Sequence, residues 1–300
     1  MTAEFFVLAH PFLTSAFGAG SAIAVVSGLV GYMVVLRGQV FAGDALSHVA
    51  FTGALAALAF GVDLRLGLYG GCVAFALLLG VLGQRTGADD TVIGSVFAWV
   101  LGLGALFLSL FTTSSSGVGG SGGTTGVSVL FGSILGLSGA QAVDDTVVSL
   151  VVAAAVVAMA RPLLFATLDP AVARSRGVPV RGLSTVFLVA LGVTAGVATQ
   201  AVGALLLLGL LAAPAGAAQR LTARPFPAMW LAAGIAVASM WIGLTLAYLV
   251  PTVPPSFGIL GVATTVYLST FVWTGVSRRR AHVRSPAAPA ASWAGAPGGG

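Results

Sequence analysis

Lysine is absent from this chain, and all 13 of its basic residues are arginines. A phosphate-binding loop ending in Gly-Lys-Ser/Thr is therefore excluded, and the Gly/Ser-rich stretch 114–126 is read as a flexible external loop instead. A single cysteine, Cys72, rules out an internal disulfide and a cysteine metal cluster; its place in the apolar run Leu66 to Leu82 makes it a packing residue. Charge of either sign is scarce. Only 7% of residues are charged, where soluble domains carry roughly a quarter, so a water-facing surface cannot be built from this composition. What is present is apolar: 58% of residues are hydrophobic and the mean hydropathy is +1.05, which makes the chain a polytopic membrane protein. The net charge of +5 resides mostly in loops and the tail, which fits orientation in a bilayer and not nucleic-acid binding. The apolar stretch near Phe12 lacks a basic leader and runs too long for a cleavable signal, so it is read as a first span.

A spanning helix needs about 20 mostly apolar residues. Nine such runs are found, at 12–35, 45–61, 66–84, 91–111, 144–160, 183–200, 202–218, 228–249 and 257–275. This predicts an all-α fold, a membrane helix bundle of about nine spans. Arginine placement tests the count. With the N-terminus outside, one face collects Arg37, Arg85, Arg161, Arg174, Arg176, Arg181, Arg220, Arg224, Arg278, Arg279, Arg280 and Arg284, and only Arg65 falls on the other. The excess of arginine assigns the first face to the cytoplasm and puts the C-terminus there.

Three segments are not spans. Residues 129–137 are too short to cross and too apolar to float, so an interfacial or re-entrant piece is expected. Residues 161–182 carry a short helix: Asp169 suits an N-cap, Pro170 the first helical position, Ala171 to Arg176 the body, and Gly177 a left-handed C-terminal cap. That helix either joins two spans or docks a soluble partner. Residues 278–300 are basic and then Ala/Pro/Gly-rich, and are read as a disordered cytoplasmic tail after a permease domain at 1–277. Glycine pairs at four-residue spacing, Gly67/Gly71 and Gly192/Gly196, suit close helix approach. Pro214, near Gly209 and Gly216, is a bend and a possible hinge.

Within the second span, Asp44 and His48 are the only carboxylate and imidazole. Four residues apart on a helix they share a face, and an oxygen and a nitrogen ligand suit Mn, Fe or Zn. Asp44 can equally be a plain N-cap, and His48 can bond a neighbouring carbonyl; but ionisable groups at membrane depth are costly and tend to face a cavity, a partner or a pathway. Asp89-Asp90 and Asp144-Asp145 are read as acidic starts of the fourth and fifth spans, Asp63 and Arg65 as a loop pair, and His10 as a minor candidate for touching a delivered ion. His282 belongs to the tail. Ser47 with His48 makes no hydrolase dyad, because adjacent helical residues point about 100° apart.

Several of these pieces recur together. Leu36-Arg37, the run Gly43 to His48, Leu130 to Leu135, Asp169 to Val180, Gln200 to Leu207 and Ala213 to Ala215 occur in an order that resembles the permease subunit of the zinc/manganese/iron ABC importers over roughly residues 5 to 275. The resemblance implies a dimer, of like or unlike protomers, in the bacterial plasma membrane. A separate cytoplasmic ABC ATPase and an extracellular metal-binding solute-binding protein would work with it. The chain itself would be no enzyme and hold no permanent cofactor, the divalent metal being its transported substrate. Asp44 and His48 map onto the family's metal-meeting pair. Asp169, Pro170, Ala173, Arg174, Arg176 and Gly177 map onto its ATPase-coupling helix. The family often has a proline four residues after that histidine, where this chain has Thr52. An ion-coupled secondary carrier and a siderophore- or cobalamin-type ABC permease are the alternatives.

Overall fold

The computed structural model describes residues 11–86, 90–115, 130–250 and 252–284. Among them are ten α-helices and no strand: α1 Pro11–Leu36, α2 Val40–Ala59, α3 Leu64–Thr86, α4 Asp90–Ser115, α5 Gly139–Leu168, α6 Pro170–Ser175, α7 Val180–Val202, α8 Leu207–Leu221, α9 Pro225–Leu249 and α10 Pro255–Arg284, with a 3-10 turn at Ile134–Gly136. Eight of these are long and apolar enough to cross a bilayer. The chain is thus a multi-pass membrane protein. The one expected span not among them is the seventh, at 202–218, which is α8, whose 15 residues reach only about 22 Å at 1.5 Å per residue.

The reason α8 is short lies at Gly203. Its φ of +96° ends α7, and residues 203–206 turn before helix resumes at Leu207. The segment before α5 fills that break. Ser133 donates its N–H to the Gln200 carbonyl (3.0 Å), Leu205 donates to Leu130 (3.4 Å), and Ile134 is buried. Gly132, at φ +73°, lies so close to the Val202–Gly203 backbone that no Cβ fits on either glycine. This stretch is not a span; it lies tucked against the α7–α8 break, as a short apolar piece with unpaired backbone groups must be inside a membrane protein.

Helices α2, α3 and α4 pack as one group, and α1, α5, α8, α9 and α10 as another, with α7 against both. Helices α1, α2 and α7 are mostly buried, α4 and α10 mostly exposed. The glycine pairs sit at crossings: Gly53 meets Gly67 and Gly71 between α2 and α3, while Gly192 and Gly196 meet Cys72, Leu68 and Tyr69 between α3 and α7. Cys72 is fully buried and its thiol donates to the Leu46 carbonyl at 3.6 Å, as a packing residue should. Gly209 and Gly216 face Leu260 and Tyr267, so both serve the contact of α8 with α10; Pro214 lies buried inside α8.

Several boundaries differ from expectation. Helix α2 starts at Val40, not 45, so Asp44 is no N-cap; Gln39 holds that position. Helix α5 runs through Arg161 and Pro162 to Leu168, and the polar stretch expected from 161 shrinks accordingly. Proline costs one backbone bond there, but the helix gains burial of Leu163, Leu164 and Ala166 beyond it. Asp144 and Asp145 do not cap α5 either: Ser138 and Gln141 form a reciprocal capping box a turn earlier. Helix α10 continues to Arg284, past residue 277 where the tail was expected to begin. Residues 285–300 lie outside the described residues, as do His10, Asp89 and most of the 114–126 loop.

Candidate functional site

Asp44 and His48 sit about one and two turns into α2, both half-buried. The face they occupy is set by what flanks them. A Cβ on Gly43 would lie 3.8 Å from Leu211 and 3.9 Å from Leu191, so the Gly43 side of α2 is turned to α7 and α8. Phe41, Asp44 and His48 follow at helical spacing on another side, directed at α4. There the His48 ring lies 5.4 Å from that of Phe97, and Phe41 stacks edge-on to the same ring at 5.9 Å. Ser47 donates its hydroxyl to the Asp44 backbone carbonyl (2.6 Å), leaving the Asp44 carboxylate untouched by it. Among the described residues no three His, Cys, Asp or Glu side chains gather around one point. The pair therefore offers at most two protein ligands from one chain.

Thr52, one turn beyond His48, is buried and donates to the Val100 carbonyl of α4 at 3.3 Å. Its hydroxyl ties α2 to α4 on the side of α2 that Asp44 and His48 share.

The capped helix matches its expected form closely. The Asp169 carboxylate accepts the N–H groups of Ala171 (3.1 Å) and Val172 (3.0 Å), and Pro170 opens α6. Gly177, at φ +79°, donates to Arg174, and Val178 donates to Ala173, closing the C-terminal end. Ala173 alone is buried; Asp169, Pro170, Arg174 and Arg176 are exposed, so α6 presents a charged outer face while one methyl anchors it. Next to it, Arg37 from the α1–α2 turn donates to the Ser184 hydroxyl at 2.7 Å and lies 5.2 Å over the Phe187 ring, both on α7. Burial pushes its guanidinium below the ordinary arginine value.

At the opposite end the start of α3 meets the start of α5 and the end of α7. The Arg65 guanidinium lies 3.2 Å from the Asp144 carboxylate and 3.6 Å from that of Asp145. Tyr69 donates to Asp145 Oδ1 (3.2 Å) and accepts from Gln200 Nε2 (3.3 Å). Asp63 accepts only the backbone N–H of Arg65, so the expected side-chain pairing within that loop is replaced by one across helices. The sequence reading missed this network, although its own topology put Arg65 and Asp144-Asp145 on the same face. A pocket nearby, lined by Ser133, Ile134, Ala201 and Ser256, holds no ionisable group.

These contacts sort the helix ends into two faces. Arg37, α6 and the start of α7 share one; Arg65, Asp144 and Gln200 share the other. The chain belongs to the ABC 3 transport family, which it matches over residues 9–274. It is similar to the manganese transport system membrane protein MntC of Halalkalibacterium halodurans, at 28% identity over 89% of each chain. It is likewise similar to the manganese import system permease protein ScaB of Streptococcus parasanguinis, at 28% identity over 87% of this chain and 90% of that one. A probable iron transport system membrane protein of Haemophilus influenzae is 26% identical over 80% of this chain and 86% of its own length. Among solved structures, PsaBC from Streptococcus pneumoniae in complex with Fab superposes with a TM-score of 0.74 at 25% identity, covering 90% of this chain and 95% of the other.

Proposed function

We propose that this chain is the permease subunit of an ATP-driven importer of a divalent transition metal, manganese foremost, in the bacterial plasma membrane. The observation that carries the reading is the half-buried Asp44/His48 pair on α2 of a chain whose family is a transport family and whose relatives are named for manganese and iron. A carboxylate and an imidazole suit Mn, Fe and Zn, and two ligands hold an ion loosely enough to release it. Water or the equivalent pair of a second permease protomer completes the coordination. Nucleotide hydrolysis belongs to a separate ATPase subunit, since no lysine exists here for a phosphate loop. That subunit grips the exposed face of α6, from Asp169 to Gly177, and an external solute-binding protein delivers the ion to the opposite face. The arginine-rich face, with Arg37, Arg161, Arg174, Arg176 and Arg181, is then cytoplasmic. In this arrangement the N-terminal end of α1 faces outward and the end of α10 inward.

The mechanism follows from the packing. Helix α6 is joined to α5 and leads into α7, and α7 touches both helix groups. Movement imposed on α6 by the ATPase therefore reaches the joint between the groups. Arg37 links the start of α7 to the turn that opens α2, so the same movement reaches the helix carrying Asp44 and His48. Pro214 in α8 is a candidate bend for this rocking.

The test is uptake of radioactive manganese into vesicles containing the permease, its ATPase and its binding protein. Asp44→Ala with His48→Ala is expected to lower uptake at least about tenfold, as loss of metal-site residues does elsewhere. Uptake at the unmodified rate refutes the site, and uptake without ATP refutes the ATP-driven class in favour of a secondary carrier.

A further inference from the structure

The Arg65 network is unlike the rest of the membrane-embedded chain, because it places a charge where a charge is expensive and leaves part of it unused. Asp145 is 0% exposed; its Oδ1 receives Tyr69 and the guanidinium, while its Oδ2 has no hydrogen-bond partner. On the Arg65 side, Nε and Nη2 are buried without a hydrogen bond. One turn deeper on the same face of α5, the Ser149 hydroxyl is 1% exposed and also unpartnered. Toward solvent, the Asp144 side chain is 68% exposed. Buried ion pairs cost more in desolvation than they return unless every lone pair is met, so a half-satisfied one is poorly explained by stability. Its position adds a second oddity. Arg65 is on α3 and the carboxylates on α5, two helices from different packing groups that barely touch each other otherwise. The pair is the polar tie between the groups at this end.

We propose that Asp144 and Asp145, the latter oriented by the Tyr69 hydroxyl, form a transient site for a divalent cation at the outer mouth of the permease, and that the Arg65 guanidinium occupies this site when no cation is there. The inference rests on the metal-import reading, which makes this face the delivery side. An arriving dication meets the exposed Asp144 first and then the free Oδ2 of Asp145. It replaces one positive charge with two, and the displaced guanidinium turns to the exposed carboxylate of Asp63 beside it. Loss of the Arg65 bond leaves the Tyr69–Asp145 hydrogen bond as the polar link of α3 to α5 at this end, and so weakens their joint. Arrival of cargo thereby loosens the outer end, and its departure lets Arg65 close it.

The experiment uses the full chain in lipid nanodiscs, carrying Asp44→Ala and His48→Ala so that the deeper pair is silent, with Mn²⁺ alone as the probe. Binding is read from the loss of the free-ion paramagnetic signal. One weak site is expected to remain. Asp144→Asn should weaken it several-fold, and Arg65→Gln should tighten it about tenfold, because the internal competitor is gone. Dye labels at Leu66 and Val143, both exposed at the ends of α3 and α5, should move apart as Mn²⁺ is added. Absence of residual binding, or binding indifferent to Asp144→Asn, overturns the proposal. If Arg65→Gln proves too unstable to purify, the Asp144→Asn titration and the label separation decide alone. Failure of the Asp44/His48 assignment reads differently: the double variant would then retain full uptake in the ATP-driven assay.

Discussion

Arg37 on one face of the bundle and Arg65 on the other each tie helices together, and they do so with opposite partners. On the α6 face, Arg37 holds a neutral hydroxyl and an aromatic ring. On the other face, Arg65 holds two carboxylates, one of them fully buried. A hydroxyl and a ring face offer an ion no charge to bind, so in the proposed mechanism Arg37 is the fixed strut. Carboxylates attract cations of any kind, so there Arg65 is the exchangeable tie. The proposed division of force transmission from cargo sensing rests on that difference.

Breaking each tie should expose that asymmetry in stability. Arg65→Leu strands the Asp145 carboxylate in the interior with Tyr69 alone, and a cost of about 3–5 kcal/mol is expected, read as a fall in the thermal unfolding midpoint in nanodiscs. Replacing both partners, Arg65→Leu with Asp145→Leu, should recover a large share of that loss, because no uncompensated charge remains. Losses that simply add in the double variant would mean that the two residues do not interact as drawn. Ser184→Ala, by contrast, leaves Arg37 over Phe187 and near the membrane surface. A loss of about 1–2 kcal/mol is expected, with ATP-driven uptake falling further than stability explains. An uptake rate that tracks stability alone would remove Arg37 from the transmission path.

How much of this was legible beforehand follows from the kind of information each feature needs. The long helices could be read from their apolar runs, and α6 from Asp169, Pro170 and Gly177, since caps are local chemistry confined to a few adjacent residues. The packing role of Cys72 and of the glycine pairs followed from spacing alone. The helix starts were less legible. Asp44 resembles a cap because it precedes an apolar run, yet Val40 and Phe41 ahead of it already pack in helical form. Asp144 and Asp145 resemble acidic starts, but Ser138 and Gln141 do the capping, and the carboxylates serve a partner 79 residues away in sequence. Long-range pairing of this sort leaves no local pattern. Only the alternating topology, which placed Arg65 and both aspartates on one face, hinted at it.

A smaller effect tests the α6 face from its outer side. Asp169→Ala removes the acceptor of two backbone N–H groups and should cost about 1 kcal/mol locally. Because α6 is a single turn and a half anchored by Ala173, fraying it should reduce stimulation of the partner ATPase several-fold while leaving manganese binding to the isolated permease unchanged. Impaired binding would show that α6 supports the ion site directly and would blur the division between the two faces.

The smallest effect expected is at Thr52, the position where the resemblance led one to expect proline. Its hydroxyl is engaged with the Val100 carbonyl and Gly104 lies against it, so it acts as a spacer between α2 and α4. Interhelical hydrogen bonds in membranes average about 0.6 kcal/mol, and Thr52→Val keeps the shape while deleting the bond, so a stability loss of about that size is expected. Thr52 follows His48 by four residues and shares the α4-facing side of α2, but its hydroxyl is engaged by the Val100 carbonyl, so the ratio of manganese to zinc uptake should stay the same. Thr52→Pro is the harsher counterpart: it removes a backbone donor inside a buried helix and is expected to cost about 3 kcal/mol here, where α2 packs against both α3 and α4. If Thr52→Val instead shifts the metal preference, the hydroxyl reaches the ion during transport, and the boundary drawn between spacer and ligand on α2 has to move one turn outward.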